Sequence, residues 1–240
     1  MHSTNQVLMF VFVMTTIVAV GLTGLREATK PLADANEAIF NKKGVLAAVK
    51  SEIGEDPKNW GNEEVETEFA KVKGYVFDYE GNPIQDMVAI DLEKNRDKNN
   101  KLAVEERAFP VWVYEKGGEK FYVVTVYGKG LWDKIWGTVA LKSDLNTIVG
   151  VSFDHKGETP GLGAEIKDSP AFKSQFEGKK IYNAAGDYKS IIVRKGGAKD
   201  KTHEVDSISG ATITGDGVTD MFVEGLANYK PVLEAAKNMK

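Results

Sequence analysis

Residues 109–127 read FPVWVYEKGGEKFYVVTVY. Two runs rich in β-branched and aromatic residues flank Gly117-Gly118, a pair suited to a tight turn between antiparallel strands, so the stretch predicts a β-hairpin. The pattern repeats downstream. Ile135 to Asp154 (IWGTVALKSDLNTIVGVSFD) predicts a second hairpin, with its turn near Ser143 to Asn146. These strands are rich in Val, Trp, Tyr and Phe, the composition of a half-buried sheet. Upstream, YVFDYEGNPI from Tyr75 carries a turn at Gly81-Asn82-Pro83 between short extended runs, and the charged run from Glu93 to Lys101 predicts a loop.

Helical spacing surrounds this sheet. Asp34 can cap a helix reaching Ile53, with Ile39, Leu46, Val49 and Ile53 on one face. Asn62 precedes an acidic first turn, Glu63 and Glu64. Val65, Phe69 and Val72 follow at helical intervals, with Gly74 as the stop. Ser169-Pro170 starts another helix, since proline suits the first helical position. Tyr188 to Arg194 predicts a further strand. A last helix is expected from about Gly215, with Val218, Met221, Phe222, Leu226 and Tyr229 in phase and Pro231 kinking or restarting it. No internal repeat is visible. The fold class is α+β: an antiparallel sheet with flanking helices.

Composition narrows the function. The 240-residue chain carries net charge −4, which argues against nucleic acid as a partner. It has no cysteine, which removes disulfides, thiolate metal sites, iron–sulfur ligation and thiol nucleophiles together. Three histidines, His2, His155 and His203, leave few bases for a Ser-His-Asp arrangement and little for a metal site. The sequence therefore assigns no catalytic side chain and no metal, and chemistry falls to a bound cofactor.

Every charged side chain lies beyond residue 25. Val7 to Leu25 (VLMFVFVMTTIVAVGLTGL) is 19 residues without a charge. As a helix it spans roughly 28 Å, close to the hydrocarbon thickness of a bilayer. Thr15, Thr16 and Thr23 are tolerable because their hydroxyls can bond back to helix carbonyls. A cleaved signal peptide is the competing reading, but the amino-terminal region is not basic, the apolar run is long and no A-x-A site follows. The expected layout is a short tail over 1–6, a transmembrane anchor over 7–25, a helical connecting region over 26–74 and an α+β domain over 75–240. Arg26 and Lys30 after the anchor bias that end weakly toward the cytoplasm.

Two motifs carry the chemistry. DSISGATIT, Asp206 to Thr214, lies between a strand-like run and the last helix. Its small residues permit close backbone approach, and the unpaired N–H groups of the helix N-terminus favour an anion such as phosphate. The plain alternative is a turn with a capping threonine. HKGETPGLGA, His155 to Ala164, follows a strand directly. A loop so rich in glycine can pack flat on a planar ring, with Glu158 and Thr159 reaching its polar edges. The alternatives are a structural loop or a metal pair from His155 and Glu158, which lacks a third ligand.

DSISGAT resembles the flavinylation motif of the FMN-binding domain family, and ETPGLG (Glu158 to Gly163) resembles the family's second motif, beside the flavin. The resemblance implies FMN joined to Thr212 by a phosphoester, attached by a separate flavin transferase from FAD with Mg²⁺. It implies cofactor-binding roles for Asp206, Ser209, Gly210, Ala211, Thr214, Glu158, Thr159, Pro160, Gly161, Leu162 and Gly163. Trp132 is added as a ring-packing candidate beside Leu162. With the anchor, the Ala38-Ile-Phe-Asn helix and the runs GKGLW (Gly128 to Trp132) and IWGTVALKSDLNTIVG, the chain resembles the C subunits of Na⁺-translocating NADH:quinone reductases. The G subunits of Rnf-type ferredoxin:NAD⁺ oxidoreductases share the anchor and flavin motifs and form the alternative. A third reading, from another class, is a non-redox membrane-tethered binding module. The resemblance implies an electron-relay subunit of a multi-subunit respiratory complex. It would sit in the bacterial inner membrane by one helix, its soluble domain on the periplasmic side, against the weak charge bias.

Overall fold

The computed structural model describes residues 3–239; Met1 and His2, the start of the expected tail, lie outside the described residues. The chain divides into two units, residues 1–40 and 41–240.

The first unit is helical. Helix α1 (Thr4–Ala48) begins here and runs through Pro31 without a break. It is long and apolar enough to cross a membrane. The Thr15 and Thr16 hydroxyls donate to the Phe12 carbonyl, at 3.0 and 2.8 Å, so neither presents an unsatisfied polar group to an apolar solvent.

The second unit starts with the last turns of α1, from Asn41, followed by α2 (Lys50–Ile53) and α3 (Asn62–Phe69). Strand β1 (Val72–Phe77) leads to α4 (Ala89–Lys94) and α5 (Arg96–Asn99). Then come β2 (Phe109–Lys116), β3 (Glu119–Lys129), β4 (Lys134–Leu141) and β5 (Ile148–His155). The five strands form one antiparallel meander in sequence order. Both predicted hairpins are present, in register Val113↔Tyr122 and Val139↔Val151. Helices α6 (Glu165–Asp168) and α7 (Pro170–Ser174) follow. A small parallel pair, β6 (Ile192–Arg194) with β7 (Glu204–Asp206), precedes α8 (Thr212–Asn228) and α9 (Lys230–Lys237).

The sheet is buried on both faces, where its composition suggested one. Alternation along each strand sorts the side chains. Val111, Val113, Tyr122, Val124, Val139 and Phe153 join Phe172, Phe176, Met221, Phe222 and Leu226 in the larger core. Trp112, Tyr114, Phe121, Val123 and Ala140 join Val45, Ala48 and Val49 on the opposite face. Each such side chain contributes about 1.5–3 kcal/mol by leaving water.

Several local expectations are corrected. Glu93 to Lys101 is not a loop but α4 and α5. Glu93 is buried and accepts the Tyr127 hydroxyl on both carboxylate oxygens, at 2.8 and 2.9 Å, while Arg96 stacks 4.3 Å from the Trp136 ring centre. Burial pushes the Glu93 carboxyl above its usual range despite that bond. The charged run covers the sheet because Glu93 and Arg96 turn inward while its other charges stay exposed. Helix α3 stops at Phe69, so Val72 and Gly74 belong to β1. Only Ile192–Arg194 of the predicted 188–194 strand is extended, because Ser190 adopts a left-handed φ of 61°. Helix α8 begins at Thr212, three residues before the expected Gly215. Pro231 sits in the first turn of α9 and restarts the helix.

Helix α8 lies backbone against backbone on the end of β3. A Cβ on Gly217 would overlap the Lys129 carbonyl oxygen, and one on Gly225 would come within 2.8 Å of Val126 Cβ. Gly217→Ala should therefore destabilise the protein by about 1–3 kcal/mol, since α8 must lift. Gly157→Ala, whose Cβ meets nothing within 4 Å, is the control. Chemical unfolding of the three proteins checks this, and equal midpoints for Gly217→Ala and the parent would contradict it.

Candidate functional site

Three segments distant in sequence converge at the N-terminus of α8. The first is the β3–β4 connection, Gly130 to Asp133. The second is the loop after β5, His155 to Ala164. The third is the β7–α8 connection, Ser207 to Ala211, with the first turn of the helix. Gly210 takes a left-handed φ of 76°, which turns the chain from β7 into α8. Thr212 is then the first helical residue, half-buried. Among the described residues none hydrogen-bonds its hydroxyl. The first N–H groups of a helix have no partner within it, so this end of α8 is disposed toward an anion.

Glu158 joins the three segments. It is 5% exposed. One carboxylate oxygen accepts the Thr214 hydroxyl at 2.7 Å, and the other accepts the Trp132 backbone N–H at 3.0 Å. The space around it is defined by glycines. A Cβ on Gly163 would overlap the Glu158 carboxylate and come within 2.6 Å of Thr214 Oγ1, and one on Gly130 would come within 2.5 Å of Glu158 Oε1. Burial alone would raise the pKa of this carboxyl. The Thr214 hydroxyl and the backbone N–H groups of Trp132, Asp133 and Leu131 outweigh burial and hold it below the ordinary glutamate range. Glu158 is therefore an internal ionised strut, with each oxygen accepting a bond from another segment.

The neighbouring residues complete the site. Thr159 Oγ1 accepts the Trp132 indole N–H at 3.0 Å. Gly161 supplies the positive φ of the Pro160-Gly161 turn. Leu162 lies over Gly210, so that a Cβ there would stand 2.6 Å from Leu162 Cδ2. The two sequence motifs are thus in direct contact. Leu131, Trp132, Leu162 and Ile213 remain 46, 66, 41 and 57% exposed, an apolar shelf on the segments around Thr212. Leu131 and Ile213 lie inside the runs GKGLW and DSISGATIT but are not among the sequence candidates. Their only signal there is positional: each is a large apolar residue next to a candidate, Trp132 or Thr212.

Asp206 ends β7, and its carboxylate accepts the Ala198 N–H at 2.6 Å, bracing the 195–199 loop. Gln175 brackets its backbone, accepting the Asp206 N–H at 2.7 Å. Ser209 is exposed and Ala211 is buried as the N-cap of α8. The His155–Glu158 metal pair has no geometry to support it. His155 Nδ1 accepts the Glu158 N–H at 3.0 Å, and the described residues contain no cluster of three potential ligands.

The residues present fit a phosphorylated, partly apolar planar group. They offer a free hydroxyl, a helix N-terminus and exposed apolar side chains on the segments that meet there. The FMN-binding domain family matches residues 130–227, the span that contains all three converging segments. The C subunit of the Na(+)-translocating NADH-quinone reductase of Pseudomonas aeruginosa is 29% identical over 237 residues, covering 92% of this chain and 90% of that protein. The corresponding protein from Haemophilus ducreyi is 39% identical over 129 residues, 52% of this chain and 49% of its own length. Among solved structures, the C subunit of the Parabacteroides distasonis reductase superposes with a TM-score of 0.72 at 32% identity, covering 85% of this chain and 96% of that one. Shewanella oneidensis NqrC superposes at 0.70 with 28% identity, covering 85% of this chain and 100% of that one.

The ionised strut gives a pH signature. A carboxyl whose folded pKa is depressed adds stability above the ordinary glutamate value of about 4.3, and that stability is lost as pH falls through the lower folded value. The parent should therefore lose melting temperature on acidification below about pH 4.5 more steeply than Glu158→Gln. Parallel acid limbs for the two proteins would remove Glu158 as a source of acid sensitivity.

Proposed function

We propose, from the premise that this chain belongs to the family of C subunits of the Na(+)-translocating NADH-quinone reductases, that Thr212 carries its FMN as a covalent phosphoester and that the chain relays electrons through it. The contact between the two motif loops at a free Thr212 hydroxyl is the observation that supports this reading most. The chain is one subunit of a multi-subunit reductase and is not a complete enzyme alone. Electrons pass from NADH toward quinone across the complex, and sodium export belongs to the whole assembly. No acidic residue lies in Val7 to Leu25, so this helix by itself offers no ion path.

Attachment follows from the chemistry of the site. In a reaction run by a flavin transferase with Mg²⁺, the Thr212 hydroxyl oxygen replaces AMP on the FMN phosphorus of FAD. The hydroxyl proton leaves to a base of the transferase. Thr212 is an anchor point and not an acid–base catalyst. The first N–H groups of α8 stabilise the resulting phosphodiester charge. Leu131, Trp132 and Leu162 give the ring an apolar bed that leaves it reachable by a redox partner. When bound, the flavin supplies the one- and two-electron chemistry; the protein supplies position and field.

The apolar helix supports a location in the bacterial cytoplasmic membrane, with the second unit on the outer, periplasmic side. A carrier there has no free cytoplasmic FMN to replace a lost one, which is the physical case for a covalent bond. Arg26 and Lys30 are too few to oppose this, because large domains cross largely regardless of such local charge.

Co-expression with an active flavin transferase should add one FMN less water to the intact mass of the parent and nothing to Thr212→Ala. No gain in the parent, with the transferase shown active on another substrate, would overturn the proposal. In the flavinylated protein, Trp132→Ala should shift the flavin absorption band and midpoint potential. Unchanged values would take Trp132 out of the site.

A further inference from the structure

The motif offers two threonines two residues apart, Thr212 and Thr214, and the fold treats them oppositely. Thr214 is 1% exposed and donates its hydroxyl to Glu158 at 2.7 Å. Thr212 is half-buried with its hydroxyl free. The difference is made by Glu158, which approaches from a loop 56 residues earlier in the chain. We propose that Glu158 is the positioning residue that selects Thr212 for flavin attachment: by holding Thr214 and the Trp132 N–H together, it locks the first turn of α8 so that only Thr212 is presented. This rests on the reading of Thr212 as the attachment point.

The geometry leaves little room for another role. Gly130 and Gly163 line the carboxylate so closely that neither position has space for a Cβ. The Glu158 N–H is itself held by His155 Nδ1, at the end of β5, so the strut is rooted in the sheet. The loop that carries Glu158 also carries Leu162, which caps Gly210 at the turn into α8. Removing the carboxylate therefore frees Thr214 and loosens both the loop and the helix end. An amide in its place keeps the shape: its oxygen accepts the Trp132 N–H and its nitrogen donates to Thr214 Oγ1. What the amide loses is the charge.

The test uses the full chain in three variants, Glu158→Ala, Glu158→Gln and Thr214→Val. Hydrogen exchange of the unflavinylated proteins is read first. Faster exchange over residues 130–133, 158–163 and 209–215 in Glu158→Ala, with β2 and β3 still protected, is expected; unchanged exchange there overturns the proposal. Each variant is then co-expressed with the transferase, and flavin is located by intact mass and peptide mapping. Glu158→Ala should lose roughly tenfold or more in the fraction flavinylated at Thr212, because buried partners are left unpaired. Thr214→Val should fall between it and the parent. Glu158→Gln should recover most of the modification yet raise the midpoint potential of the bound flavin, since a buried negative charge beside it is gone. Full modification at Thr212 alone in Glu158→Ala would overturn the proposal. If Glu158→Ala does not fold, parent-level modification in Thr214→Val would overturn it instead. Absence of flavin on the parent itself counts against Thr212 as the attachment point, while the exchange data still decide whether Glu158 is the strut.

Discussion

Everything at the functional end depends on how closely α8 lies on β3. Gly217 meets the Lys129 carbonyl with no side chain between them, and Gly225 meets Val126 one turn pair further on. Backbone contact of this kind fixes a helix in translation and rotation at once, because any side chain would act as a spacer. Met221, between the two glycines, is 1% exposed and packs into the larger core. The position of Thr212 at the head of α8 is thus set by sheet packing, not by the loop that bears the motif. The β3–β4 connection, which starts directly after Lys129, leaves from the same seat.

A buried carboxylate then joins this helix to the loops. Taking Glu158 out of water costs several kcal/mol unless donors replace the lost hydration. Here the Thr214 hydroxyl and backbone N–H groups from the β3–β4 connection do so. The donors come from two segments and the carboxylate from a third, so satisfying one charge holds three pieces of chain in place. Glu93, another buried carboxylate, is treated differently. It accepts the Tyr127 hydroxyl, has a guanidinium 4.0 Å away and, among the described residues, no backbone N–H donor, and burial pushes its pKa up. The contrast follows donor count: several short bonds favour the ion, few leave burial dominant.

Such rigidity around an exposed apolar shelf suits an electron carrier. The shelf must remain open for a partner to approach, so the site cannot stabilise itself by closing over its group. Fixing the surrounding backbone is what remains. The covalent bond proposed at Thr212 would serve the same end, since a group that is not enclosed would otherwise dissociate.

The sequence by itself determined a great deal. Strand composition, the Gly117-Gly118 turn and the turn near Ser143 to Asn146 identified the two central hairpins, because strand composition and turn chemistry are local properties. The uncharged run over Val7 to Leu25 identified the long apolar helix by length alone, and small residues at 209–214 marked a close backbone approach. It did not determine what covers the sheet. The charged stretch around Glu93 looks solvated unless Tyr127, 34 residues away, is known to lie opposite it. Nor did it show that Glu158 is held by donors from other segments, since orientation inward or outward leaves no local trace. The bond from Asp206 to the 195–199 loop has no local trace either. Only the tertiary structure decided these points. A buried charge is defined by the donors that surround it, and those donors come from parts of the chain that no short window of sequence contains.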